Sequence, residues 1–136
     1  RQTAQGVAAL HSHGWSMPSL RAENLQIEPD GHLTLLAVGH ARRMESNMNA
    51  SVQIHADTCR LAGLFIEMTT GDWACNPGFH QDPPTRLSDR NDEVAASVMA
   101  LLKEMLNPAV MSDRHSVQSL VERLVRLEIG RLSRPA

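Results

Sequence analysis

The sequence predicts a mainly α domain with one small β-hairpin, and three observations carry that expectation. Apolar residues recur at helical spacing in four separate stretches, two short β-type runs flank a Pro-Gly turn, and 136 residues with 42% hydrophobic content suffice for one core. In residues 1–13, Val7, Leu10 and His11 share a helical face with Ala4, Ala8 and Ala9 beside them, and Gly14 supplies the stop. A loop from Trp15 to Glu23 follows, punctuated by Pro18. Leu25, Ile27, Leu33 and Leu35 then surround Glu28-Pro29-Asp30-Gly31, a turn sequence that predicts a hairpin over about residues 25–37.

The polar stretch from Ala41 to His55 shows no sustained period and reads as a surface loop. Asp57 stands as an N-cap before Leu61, Leu64, Phe65 and Met68, which predict a central helix over about residues 57–70 closed by Gly71. A long connection over 72–90 carries three Pro. Two more helices follow. One runs over about 92–106, with Val94, Val98, Leu101, Leu102, Met105 and Leu106 inward. The other runs over about 116–129, with Val117, Leu120, Val121, Leu124 and Leu127 inward and Gly130 as its cap. A single domain thus covers 1–130, and 131–136 is a basic tail expected to fray.

Composition narrows the function classes. Thirteen Lys and Arg against fifteen Asp and Glu leave a net charge of -2 with no dense basic cluster, which argues against a nucleic-acid partner. Aromatics at 3% remove the usual base-stacking platforms. The best apolar run, Leu61 to Met68, is broken by Glu67 and falls far short of the roughly 20 residues a membrane span needs. Cys59 and Cys75 form no Cys-x-x-Cys pair, and no signal peptide is expected from the first residues.

The order of short motifs is more specific. The sequence reads Leu10-His11-Ser12-His13-Gly14, then Glu23-Asn24-Leu25, then Asp30-Gly31-His32-Leu33, and later Asp57 with Leu61, Ala62 and Gly63, Leu101 to Pro108, and Asp113-Arg114. This succession resembles the large (C-terminal) lobe of a eukaryotic-type protein kinase over roughly residues 5–125. In that family a helix ending in Leu-His-x-x-Gly leads to the loop His-Arg-Asp-Leu-Lys-Pro-Glu-Asn, then to a hairpin and the triplet Asp-Phe-Gly.

The resemblance assigns the catalytic loop to Met17-Pro18-Ser19-Leu20-Arg21-Ala22-Glu23-Asn24 and the metal-binding triplet to Ala37-Val38-Gly39. Asp57 takes the place of the family's central-helix Asp, which accepts backbone N–H bonds from the catalytic loop, with Arg60 near the place of a Trp. Arg114 takes that of the Arg before the last helix, whose usual Glu partner would sit in an Ala-Pro-Glu that this sequence lacks.

The departures fall on the chemistry. Ser19 stands where the family has its proton-accepting Asp, and a lone hydroxyl is no base at neutral pH. Ala37 stands where a carboxylate holds Mg²⁺ and offers no ligand atom. Asn24, in the place of the second metal ligand, and Arg21, in the place of the phosphate-holding Lys, are the residual candidates for nucleotide contact. Pro18 has no backbone N–H to give Asp57. Gln26 falls where an apolar floor beneath adenine is expected, while Met17 and Val38 keep apolar side chains where the family stacks His and Phe. No segment of the 136 residues resembles the family's Gly-rich loop or its strand Lys.

The expected reading is an inactive kinase-like domain, a pseudokinase or truncated fragment, without a metal or other cofactor and with ATP and Mg²⁺ binding doubtful. It would work through a protein partner as scaffold or allosteric regulator. Two alternatives are residual nucleotide binding completed by a missing lobe and a plain helical interaction domain, which helical residues 25–36 would favour. Plainer readings apply elsewhere: His11 and His13 lie on different faces and predict no metal site, and His11 reads as a half-buried helix-end residue. Met44, Met48, Met99, Met105 and Met111 read as core filling and loop scatter, and the Arg123, Arg126, Arg131 and Arg134 stripe as a solvated face.

Overall fold

In the computed structural model, which describes residues 1–36, 38–45, 48–70, 93–107, 109 and 114–132, four helices and four short strands form the fold. The architecture is mainly α with a small hairpin, as the sequence predicts. Helix α1 (Gln2–Ser12) buries Thr3, Ala4, Val7, Ala8 and His11, a stripe with the helical period. Gly14 ends it at φ 79°, a left-handed conformation that costs a side-chain-bearing residue about 1–2 kcal/mol.

Strand β1 (Trp15–Ser16) pairs antiparallel with β4 (Arg42–Arg43), and the Met44 N–H donates to the Gly14 carbonyl at 2.7 Å. Neither strand was legible in the sequence, because two residues are too few to show an alternating pattern. β2 (Leu25–Ile27) and β3 (Leu33–Leu35) form the expected hairpin in register Leu25↔Leu35, Gln26↔Thr34 and Ile27↔Leu33. Its turn is closed by Gly31 N–H on the Glu28 carbonyl at 2.8 Å, Gly31 has φ 82°, and Asp30 Oδ1 accepts the His32 N–H at 2.9 Å. The hairpin rests on α1 at Gly6, where a Cβ would come within 2.5 Å of Leu35 Cδ1.

Helix α2 (Met48–Thr70) corrects two expectations. It begins well before Asp57, so residues 48–55 are helix rather than loop, and Asp57 lies inside the helix instead of capping it. The cause is the chemistry of its buried face. Ile54, Asp57, Thr58, Leu61, Leu64 and Ile66 are all buried, and the polar Asp57 and Thr58 break the apolar stripe that would have extended the pattern backward. The Thr58 hydroxyl is satisfied within the helix by the Ile54 carbonyl at 2.9 Å.

Helices α3 (Glu93–Met105) and α4 (Arg114–Leu132) complete the core with Leu101, Leu102 and Met105 from one and Val117, Leu120 and Val121 from the other. Burying each of these large side chains stabilises the fold by about 1.5–3 kcal/mol. The helix α4 runs through Gly130 to Leu132, so that glycine does not cap it; a single interior Gly costs about 1 kcal/mol, too little to end a helix already packed against α1. The connection over 72–90 with Cys75, the residues Met111 and Asp113, and the end of the tail at 133–136 lie outside the described residues.

An ion pair ties α3 to α4: Arg123 Nη1 bonds Glu104 Oε2, and Nη2 reaches Oε1 at 3.1 Å. The hydrogen bond from Arg123 holds the Glu104 carboxyl below the usual carboxylate range, and the same bond raises Arg123. The side chains are 38% and 40% exposed, so solvent limits the pair to roughly 0.2–1 kcal/mol. A depressed carboxylate binds its proton more weakly folded than unfolded. Its contribution is therefore complete above the ordinary Glu pKa of about 4.3 and is lost as pH falls through the lower folded value. Glu104→Gln should reduce stability in urea at pH 7 by less than about 1 kcal/mol, and the gap to the parent should close on acidification below about pH 4.

Candidate functional site

The site begins at a buried carboxylate. Asp57, 1% exposed in the middle of α2, accepts the Met17 N–H on Oδ2 at 2.8 Å, and the same oxygen lies 2.9 Å from His11 Nε2. Its Oδ1 accepts from Arg60 Nη1 at 3.2 Å. One side chain thus joins the end of α1, the start of the Met17–Asn24 loop and the centre of α2. Three donors satisfy a charge that would be costly to bury alone. Arg60 is 37% exposed, so it links the interior carboxylate to solvent.

His11 is completely buried rather than half-buried, because the 3, 4, 7, 8 stripe of α1 continues into position 11. Its Nδ1 is buried with no hydrogen-bond partner among the described residues. The sequence did not show His11 as the partner of Asp57, although a His extending an apolar stripe and an Asp interrupting another were the available signals. Met17, in place of the family's loop His, is fully buried and donates the backbone bond.

The loop folds on itself. Asn24 Nδ2 donates to the Ser19 carbonyl at 2.7 Å, the Asn24 N–H meets the Arg21 carbonyl at 3.0 Å, and the Leu36 N–H reaches the Asn24 carbonyl at 2.8 Å. Asn24 therefore fastens both ends of the loop and its hairpin. The Ser19 hydroxyl lies 3.9 Å from Met17 Sδ and has no His or carboxylate partner among the described residues, so nothing there would activate it as a nucleophile. Arg21 and Glu23 form an exposed pair at 3.6 Å, 54% and 67% exposed, of negligible structural worth.

Other assigned positions are less engaged. Pro18 is half-buried, Val38 is 47% exposed and so is not packed in an internal column, and Gly39 faces open space. Ala37 lies outside the described residues, as does the side chain of Arg114, which begins α4. Gln26 is exposed on the hairpin and donates to Glu28 Oε1 at 2.7 Å. Exposed apolar surface is present at Ile27 and Leu36, while Leu25 packs against the core.

Among the described residues no group of three or more His, Cys, Asp and Glu side chains could hold a metal, and no helix is long and apolar enough to cross a membrane. Cys59 lies 3.4 Å from His55 Nε2, and burial pushes its thiol pKa up against the opposing charge of Arg60. Comparison with known protein families, curated proteins and solved structures finds no significant match to this chain.

Proposed function

We propose that the chain is the degenerate large lobe of a eukaryotic-type protein kinase and acts by binding another protein, as a scaffold or allosteric regulator, without transferring phosphate. The observation that carries this reading is the Asp57 carboxylate, which holds the head of the Met17–Asn24 loop through the Met17 N–H while a β-hairpin follows the loop. An Asp on a central helix gripping the backbone of this loop is what the resemblance implies. The strand pairing of residues 25–27 with 33–35 is also what it implies, and a helix there would have favoured the plain helical domain.

The same residues argue against phosphoryl transfer. Ser19 and Ala37 replace the two carboxylates that the chemistry requires, and the neutral amide oxygen of Asn24 is a poor Mg²⁺ ligand without a carboxylate beside it. A binding role draws support from exposed apolar side chains on and beside the hairpin, Ile27 at 60%, Leu36 at 40% and Val38 at 47%, which a partner would cover. The test is a thermal-unfolding titration with ATP and Mg²⁺. No stabilisation is the expected result. Stabilisation approaching about 2.7 kcal/mol at one hundred times Kd would instead establish the alternative of residual nucleotide binding.

A further inference from the structure

A cavity of about 340 Å³ lies between the start of α1, the hairpin, and helices α2, α3 and α4. Leu64 and Phe65 of α2, Leu101 of α3 and Leu124 of α4 make its walls apolar, and the 61% exposed Met68 marks an opening to solvent. Gln2 also lines it, but both polar atoms of that amide already have a partner: Nε2 donates to the Gly31 carbonyl at 2.9 Å and Oε1 accepts the Leu33 N–H at 2.7 Å. Thr3 differs. It is only 8% exposed, lines the same cavity, and its hydroxyl has no hydrogen-bond partner among the described residues.

A hydroxyl at the wall of an otherwise apolar cavity offers an entering molecule one directional contact. We propose that this cavity binds one compact, uncharged, mostly apolar molecule whose single hydroxyl or carbonyl group pairs with Thr3. The volume sets the size. An apolar cavity of about 150 Å³ accepts benzene, so roughly a dozen carbon-sized atoms fit here. The hydroxyl of Thr3 can donate or accept, which suits either head group. Arg1 also lines the cavity but is itself exposed, where water screens its charge, and the recognition group at the wall, the Thr3 hydroxyl, is neutral. The inference does not depend on the kinase reading.

The methionines provide a site-specific readout, because Met68 and Met105 line the cavity whereas Met17 and Met44 are buried elsewhere. The chain, labelled with ¹³C at its methionine methyl groups, is titrated with 4-butylphenol, butylbenzene and 4-butylbenzoate. Saturable shifts of Met68 and Met105 with 4-butylphenol, leaving Met17 and Met44 unmoved, are expected. No shift, or shifts of all four together, would overturn the site. Thr3→Val should weaken 4-butylphenol about tenfold and leave butylbenzene unchanged; equal effects on both would remove the role of Thr3. Tighter binding of the benzoate than of the phenol would contradict a neutral head group. Leu124→Trp, which fills the space, should abolish the shifts while Met17 and Met44 keep their native positions. Retained binding in that folded variant would also overturn the proposal, and if it fails to fold, the Thr3→Val comparison decides.

Discussion

Replacing Asp57 by Ala is expected to lower the unfolding free energy by about 3 kcal/mol or more, measured from the urea transition followed by far-ultraviolet circular dichroism. The size follows from what the deletion strands. The His11 ring and the Met17 N–H are both fully buried, and each would lose its bond to Oδ2 with no water to replace it. A domain of this size has about 5–15 kcal/mol in total, so the variant would retain only part of its folded margin. Asp57→Asn should cost less, because its amide oxygen can still accept the Met17 bond, although the charge is gone. A loss below about 1 kcal/mol in the Ala variant would mean that the carboxylate does not join the three elements.

Ile54→Ala should cost about 2–5 kcal/mol, since Ile54 is 2% exposed and its deletion leaves a gap between α2 and the core. Val52, two residues earlier on the same helix, is 68% exposed, and Val52→Ala should change stability by no more than about 0.5 kcal/mol. The contrast tests the helical start of α2 in a stretch whose composition reads as a loop. Near-equal effects at the two positions would return residues 48–55 to that reading.

What the sequence disclosed depended on how each element announces itself. The hairpin was legible because Glu28-Pro29-Asp30-Gly31 encodes its own turn, and α3 was legible because its buried side is uniformly apolar. The start of α2 was hidden by Asp57 and Thr58, polar residues whose partners come from elsewhere in the chain or from the preceding helical turn. The β1 and β4 pair was hidden because its four residues have no pattern of their own. The bond between His11 and Asp57 spans distant parts of the chain, so spacing could suggest two interior positions but not their meeting.

Val38 shows the opposite error. Being apolar, it suggested a packed column, yet the backbone leaves it 47% exposed, so residue type alone did not place it inside. Asn24 reads as a possible nucleotide contact through its amide oxygen, and the structure gives its amide nitrogen a separate, local task in closing the loop.

Transfer of a labelled terminal phosphate from ATP, with Mg²⁺ or Mn²⁺ and mixed peptide acceptors, tests the functional account most directly. No label above the protein-free rate is predicted, on the chain itself or on any peptide. Label that appears with the protein and disappears in an Asn24→Ala variant that still folds would contradict it.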